Sequence, residues 1–329
     1  MKQLIGLHHV TAITSSAEKN YDFFTHVLGM RLVKKTINQD DIQTYHLFFA
    51  DDRGNPGTDV TFFDFPGSAQ AVRGANEISR IGLRVPSNEA LVYWIKRFQH
   101  HHVKHSPIQT LFDAQVIFFE DFDAQRYALC SDENVSGVAS GLPWQHGPVP
   151  NEYGITGLGP IFFEVTYPDQ MDRVLREALM MRFVGNEGDR RLYEMGQGGH
   201  GARVIVEKSV SLQRAMQGYG GVHHVAFRIE DEDVLNAWID RLNDLRAGHS
   251  GFVDRFYFKS LYTRLHPGIL FEFATEGPGF IDDEEPYEIL GERLALPPRF
   301  RTQRDHIETL VRPIDTVRST RTFTKEYFD

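Results

Sequence analysis

Apolar positions along the chain follow one order four times: a short apolar strand, an amphipathic helix, then several further strands. The first copy opens with LIGLHHVTAIT. Its helix, SSAEKNYDFFTHVLGM, spaces Tyr21, Phe24, Val27 and Leu28 at helical intervals and stops at Gly29, and the strand-like runs RLVKKTIN, TYHLFFAD and DVTFFDFPG follow. The second opens at ISRIGLRV, carries Leu91, Trp94, Ile95 and Phe98 on its helix, and closes with AQVIFFEDF and RYALCSDE. The third runs from LGPIFFEVT through Met171, Val174, Leu175 and Ala178 to ARVIVEKS. The fourth begins GVHHVAFRI, has Asp231, Glu232 and Asp233 in the first helical turn with Val234, Leu235, Trp238 and Leu242 behind them, and ends in FYFKSLYTRLHPGILFEFATEGPG.

This order predicts an α+β fold of four βαβββ modules arranged as two paired-module domains, residues 1–140 and 151–281. The boundary falls in the Gly/Pro-rich stretch VSGVASGLPWQHGPVPNEYG at 135–154. Residues 282–329 break the pattern and form a C-terminal extension, read as a wrapping arm or an interface segment. A length of 329 residues, 41% hydrophobic, suits two globular halves. No apolar run approaches the roughly 20 residues that span a bilayer, and MKQLIGLHHVT lacks the features of a secretory signal, so the expectation is a cytoplasmic protein without a membrane partner. A net charge of −10 argues against nucleic acid. Association of the chain with copies of itself stays open.

Cys130 is the only cysteine, so an intrachain disulfide and a thiolate cluster are both excluded and any metal must take nitrogen and oxygen ligands. The doubled histidines of LHHVT and VHHVA supply the nitrogens. In a strand, residues two apart share a face. Val10 therefore joins His8, and Val225 and Phe227 join His223, on the face that packs against helices. His9 with Thr11, and His224 with Ala226, turn to the other face. In GILFEFAT, Glu272 lies between Leu270 and Ala274 on one face, and a carboxylate between two phenylalanines needs a partner. Two imidazoles and a carboxylate make the facial set that suits non-haem Fe(II), with Mn2+ as the alternative metal. If HPG at 266–268 forms a three-residue hairpin loop, paired positions sum to 534 and Tyr262 faces Glu272.

The fourfold βαβββ order, LHHVT, GGVHHVAF and GILFEFATEGPGF resemble the glyoxalase, bleomycin-resistance and extradiol dioxygenase superfamily, the vicinal oxygen chelate proteins, and within it the ring-cleaving dioxygenases that act on hydroquinones. The resemblance covers roughly residues 1–280. It implies metal ligands at His9, His224 and Glu272, the set that alternation also gives, and an enzyme that inserts O2 into a small aromatic diol, a hydroquinone or a catechol. It further implies roles around the substrate for His8, His223 and Arg255, beside Tyr262 and Thr11. Catechol-cleaving relatives draw histidines from the third and fourth units, but GPIFFEV has none, so units one and four are expected to face each other. Glyoxalase I enzymes use four ligands, and Asp64 is expected at the place in unit one that Glu272 holds in unit four. A metal-dependent glyoxalase-like isomerase or thiol transferase, and a metal-free binding or resistance protein, remain alternatives. Glu207 reads as a surface ion pair, and the cluster at His100, His101, His102 and His105 as a solvated turn.

Overall fold

The structure, a computed structural model, describes residues 2–281 and 285–328. The first unit comprises β1 (Gly6–Ile13), α1 (Ala17–Asp22), β2 (Arg31–Asn38), β3 (Asp41–Ala50) and β4 (Asp59–Phe63). The second has β5 (Glu77–Val85), α2 (Asn88–His100), β6 (Gln109–Leu111), β7 (Ala114–Glu120) and β8 (Arg126–Ser131). The third has β9 (Gly157–Val165), α3 (Pro168–Arg173), β10 (Arg182–Glu187), β11 (Arg190–Glu194) and β12 (Arg203–Lys208). The fourth has β13 (Gly221–Ile229), α4 (Glu232–Asp244), β14 (Val253–Asp254), β15 (Lys259–His266) and β16 (Ile269–Thr275).

The helices start where capping side chains wait. The Ser87 hydroxyl accepts the Ala90 N–H (3.1 Å) ahead of α2, and the Asp231 carboxylate accepts the Val234 N–H (2.9 Å) ahead of α4. Leu91, Trp94, Phe98, Leu235, Trp238 and Leu242 are then fully buried, as their spacing predicts. In units one and three the helix changes winding instead. α1 and α3 pass into π-helical turns at Phe23–Val27 and Val174–Ala178, which widen the last turn before the next strand.

Two eight-stranded curled sheets result, in the orders β14-β15-β16-β13-β1-β4-β3-β2 and β10-β11-β12-β9-β5-β8-β7-β6. Unit one is therefore joined to unit four by antiparallel β1 and β13, and unit two to unit three by β5 and β9. Units one and four face each other as expected, whereas the division into 1–140 and 151–281 does not follow these sheets. Each opening strand is hydrogen-bonded on one side to the last strand of its own unit and on the other to the opening strand of another unit, the first with the fourth and the second with the third. One hydrophobic core runs through all four units, from Leu7 and Phe24 through Trp94 and Leu175 to Trp238 and Phe273.

Within the described residues, the C-terminal extension is an arm wrapped over the molecule; 282–284 and 329 lie outside them. Glu285 pairs with the fully buried Lys34, Tyr287 stacks under Arg31 (4.4 Å), and α5 (Arg304–Leu310) follows. The far end reaches α2, where Glu326 meets Arg97 (2.6 Å). Among the described residues no helix is long and apolar enough to cross a membrane.

Candidate metal centre

The doubled histidines owe their arrangement to β-bulges. Between β1 and β13 the register jumps at Leu7/His9 and again at Thr11/Ala12, which leaves His8 as the extra residue of one strand and His223 as that of the other. Strict alternation would send adjacent side chains to opposite faces. Each bulge instead lets the pair meet: His8 Nδ1 lies 2.9 Å from His9 Nδ1, and His223 Nδ1 lies 2.8 Å from His224 Nδ1. The expectation that His8 and His223 pack under the helices is thereby corrected.

His9, His224 and Glu272 converge on the inner face of the first sheet, all buried, and are the only such set of potential metal ligands among the described residues. His9 Nε2 is 3.1 Å and His224 Nε2 is 2.9 Å from Glu272 Oε2, and the two nitrogens are 3.3 Å apart. Three donors each about 2.1 Å from a common centre and at right angles to one another would be separated by about 3.0 Å. Glu272 Oε1 accepts the Ser260 hydroxyl (2.6 Å), while Oε2 is buried without a hydrogen-bond partner. Such an orphaned oxygen beside two imidazole nitrogens is costly unless a cation completes it, and this nitrogen–oxygen set fits a divalent metal. Burial alone would raise the Glu272 carboxyl, yet the two imidazoles hold it well below the usual carboxylate range.

Hydrogen bonding fixes the tautomer on one side of the site. His8 Nε2 is 3.0 Å from the Thr275 carbonyl oxygen, which only accepts, so that nitrogen carries the proton. Burial drops His8 to about 3, keeping the ring neutral, and its Nδ1 must then accept from His9 Nδ1–H. His9 Nε2 is left as a lone pair facing Glu272 and His224.

Beside the triad, and lined by His9 and His224, lies a cavity of about 400 Å3 with aromatic walls formed by Phe48, Phe63, Phe65, Tyr257 and Phe258. Tyr262 lines it and pairs with Glu272 in the β15–β16 register, as expected, although by another route. The turn has two residues, Pro267 and Gly268, and a register shift between Thr263 and His266 restores the pairing. Burial and then the Glu272 charge push the Tyr262 phenol up, so it stays protonated. Arg255, in the segment between β14 and β15, donates from Nε to Tyr262 Oη (3.1 Å) and from Nη2 to Asp40 (2.9 Å). Asp40 belongs to the hairpin tip Asn38–Asp41 of unit one, which lines the cavity mouth. His223 lines the cavity, whereas His8 stands behind His9. Thr11 Oγ1 lies 3.1 Å from His224 Nε2 and 2.7 Å from Thr61 Oγ1.

Internal symmetry corrects the expectation for Asp64. His9 lies opposite Ala226 and Thr11 opposite His224, so the rotation that exchanges β1 and β13 exchanges His9 with His224. Thr61 pairs with Thr11, and Glu272 with Ala226, which makes Thr61 the counterpart of Glu272. Asp64 lies past the end of β4; it accepts the Tyr45 N–H (2.7 Å) and faces Arg312 (3.6 Å). The same rotation relates Ser260, which holds Glu272, to His46, whose Nε2 is 2.8 Å from Thr61 Oγ1. His46 also lines the cavity, between Phe48 and Phe63, and burial keeps it neutral. Neither His46 nor Thr61 was anticipated. The available signal was that His46 and Phe48 share a face in TYHLFFA. Glu207 pairs with Arg190 at the surface (2.6 Å), as expected.

Four βαβββ modules in two curled sheets, with two opening-strand histidines and one closing-strand glutamate on one inner face, mark a single class: the chain belongs to the Glyoxalase/Bleomycin resistance protein/Dioxygenase superfamily, whose profile matches residues 6–127. Among its relatives is MhqA of Bacillus subtilis (strain 168), assigned as a ring-cleaving dioxygenase, 43% identical over 94% of this chain and 98% of its own. Another is the chlorohydroquinone/hydroquinone 1,2-dioxygenase of Sphingobium indicum, 31% identical over 92% and 94% of the two chains. A crystal structure of a protein from Bacillus subtilis subsp. subtilis str. 168, assigned as a dioxygenase, superposes with a TM-score of 0.87 at 33% identity, covering 96% of this chain and 99% of that one. Glyoxalase I from Zea mays shares the fold, with a TM-score of 0.57 at 13% identity over 84% of this chain and 93% of its own.

Proposed function

We propose that the chain is an Fe(II)-dependent dioxygenase that opens the ring of a hydroquinone-type substrate with O2. The observation that carries this reading is the site-bearing sheet itself: candidate ligands from the first and fourth units, with a threonine where a fourth ligand would stand. An isomerase with four protein ligands lacks its fourth at Thr61, and a metal-free binding protein would leave Glu272 Oε2 buried and unpaired. The relatives supply the reaction class, since one is named for hydroquinone itself.

His9, His224 and Glu272 would hold the iron, which supplies a route for electrons between an electron-rich ring and dioxygen. The protein residues do the rest. Phe48, Phe63 and Phe258 enclose the ring and exclude water. Tyr262 Oη already accepts from Arg255 Nε, so its own O–H is free to donate a proton or a hydrogen bond to a substrate oxygen. With His224 Nε2 as a lone pair, its Nδ1–H donates to His223 Nδ1, and the neutral His223 ring keeps its proton on Nε2. His223 and the hairpin tip then orient the far hydroxyl of a hydroquinone, which a catechol, chelating through two adjacent oxygens, would not require.

Anaerobic purification, loading with Fe(II) or Mn(II), and oxygen-electrode assays on hydroquinone, methylhydroquinone and catechol test the reading. One O2 consumed per hydroquinone with the Fe(II) form is expected, with a higher kcat/KM than for catechol. Preference for catechol would discard the hydroquinone assignment, and no O2 uptake with any diol would discard the dioxygenase.

A further inference from the structure

A second cavity, of about 370 Å3, lies where the arm passes the start of β2 and the linker between units two and three. Arg31, Arg318 and Lys325 line it together with the rings of Trp144, Tyr287 and Phe323. The guanidinium groups of Arg31 and Arg318 are buried, with 4% and 6% of those residues exposed, and they are held by neutral oxygens alone. Arg31 donates to the Asp52 and Tyr287 carbonyls, and Arg318 to those of Thr316, Leu32 and Leu290. Arg31 Nε is buried with no acceptor. Lys325 Nζ rests on the Val149 carbonyl and Asn151 Oδ1, both at 2.9 Å. Among the described residues, none of these three cations is in an ion pair.

Nearby carboxylates are already engaged. Asp52 accepts from Tyr287 Oη–H (2.7 Å) and the Gln145 N–H (3.2 Å). Glu292, which lines the cavity as Glu288 does, accepts from the Arg318 N–H and from Ser319. The lining carries Arg31, Arg318, Arg321 and Lys325 against Glu288 and Glu292, and of the four cations Arg321 alone is ion-paired among the described residues, with Asp315 (2.6 Å), in a chain whose net charge is −10. The Asp52 charge acts on Arg31, but the hydrogen bonds of both buried guanidinium groups go to neutral oxygens and Arg31 Nε has none, so an anion at this place would complete them. Aromatic walls select the kind of anion. Trp144, under Arg318 at 5.7 Å, and Phe323 offer faces to a ligand with an apolar body, which an inorganic oxyanion lacks.

We propose that this cavity binds a small organic carboxylate with an apolar or aromatic body. It lies apart from the metal centre: Arg31 opens β2 and Thr36, five residues on, lines the metal cavity, about 17 Å along the strand. The ring-opened product of the proposed reaction and an unrelated metabolite carry the same chemistry, and a product-like dicarboxylate tested against benzoate distinguishes them by affinity.

Calorimetric titration of the metal-loaded protein with benzoate, benzamide and inorganic phosphate decides the matter. Benzoate should bind once per chain and benzamide should not. Lys325→Gln should weaken benzoate at least about tenfold while kcat/KM for hydroquinone stays unchanged. Arg321→Gln, at a more exposed position, serves as the second variant if Lys325→Gln unfolds early. Benzoate affinity unchanged in both variants would place the ligand in the metal cavity and overturn the proposal. So would phosphate binding without benzoate binding, or no binding of either.

Discussion

The two sheets share one architecture and differ in what fills their inner faces. In the first, a cavity of about 400 Å3 lies beside the triad; in the second, the corresponding space is about 10 Å3. Arg80, which pairs with Phe162 directly after a bulge as His9 does with Ala226, takes the histidine's place and lies over Phe118 at 4.2 Å. Ile205, beside Phe162, stands where Glu272 stands beside Ala226. Val116, Ala128, Cys130, Phe162, Leu192 and Ile205 form a packed cluster there. The module fold thus tolerates either a dry core or a metal site on the same face, and a few residues decide between them.

Importing the second sheet's residue into the first should have the largest effect. Glu272→Ile should leave the fold intact but reduce metal content from one ion per chain to below about a tenth, read by elemental analysis, with O2 uptake at background. Full metal occupancy in this variant would show that Glu272 is not a ligand. Next comes Thr61→Glu, which restores the symmetry of the two half-sites. Metal should be retained while turnover falls about 100-fold, because a second carboxylate, as fourth ligand, would compete for a position the reaction uses. Unchanged turnover would mean that Thr61 does not border the reacting centre. Tyr262→Phe should keep both metal and packing and lower kcat about 100-fold, the usual scale for a lost proton donor; a kcat equal to that of the unmodified protein would remove the phenol from the chemistry.

The smallest expected effect on activity lies in the second sheet. Burial pushes the Asp121 carboxyl up to about 7, while Tyr127 Oη–H donates to it (2.9 Å). The folded protein therefore binds a proton that the unfolded chain has released by about pH 4, and this group's contribution falls as pH rises from about 4 to about 7, by up to about 4 kcal/mol. Asp121→Asn should flatten that part of the stability profile in denaturant titrations and leave kcat/KM unchanged. An equally steep profile would locate the titration elsewhere.

Much of this was legible in the sequence because it depends on local periodicity. The four repeats and the inward turn of His9, His224 and Glu272 follow from alternation along single strands, whereas the Tyr262–Glu272 pairing rests on a register shift between Thr263 and His266 that alternation does not show. Pairing between strands some 200 residues apart does not follow from alternation; the facing of units one and four comes from the resemblance and from the lack of a histidine in GPIFFEV. Asp64 is not the counterpart of Glu272 because position within a closing strand does not fix the register of β4 against β1; the observed register makes Thr61 the equivalent residue. His46 escaped notice as a single histidine in an apolar strand, and Asp40 because its contact with Arg255 spans 215 positions. The bulges at His8 and His223 change which way a side chain points without leaving a compositional mark.

That first and last units share a sheet has a consequence for synthesis. The second sheet uses only residues 77–208 and has all its strands before β13 is made. β1, by contrast, leaves the ribosome with no β13 to pair with and waits for Gly221, about 210 residues later. At about 5–20 residues per second that is about 10–40 s in which an apolar strand bearing two histidines has an open edge. Glu272 arrives later still, so the nascent chain holds the whole set of His9, His224 and Glu272 only once about four-fifths of it has been translated.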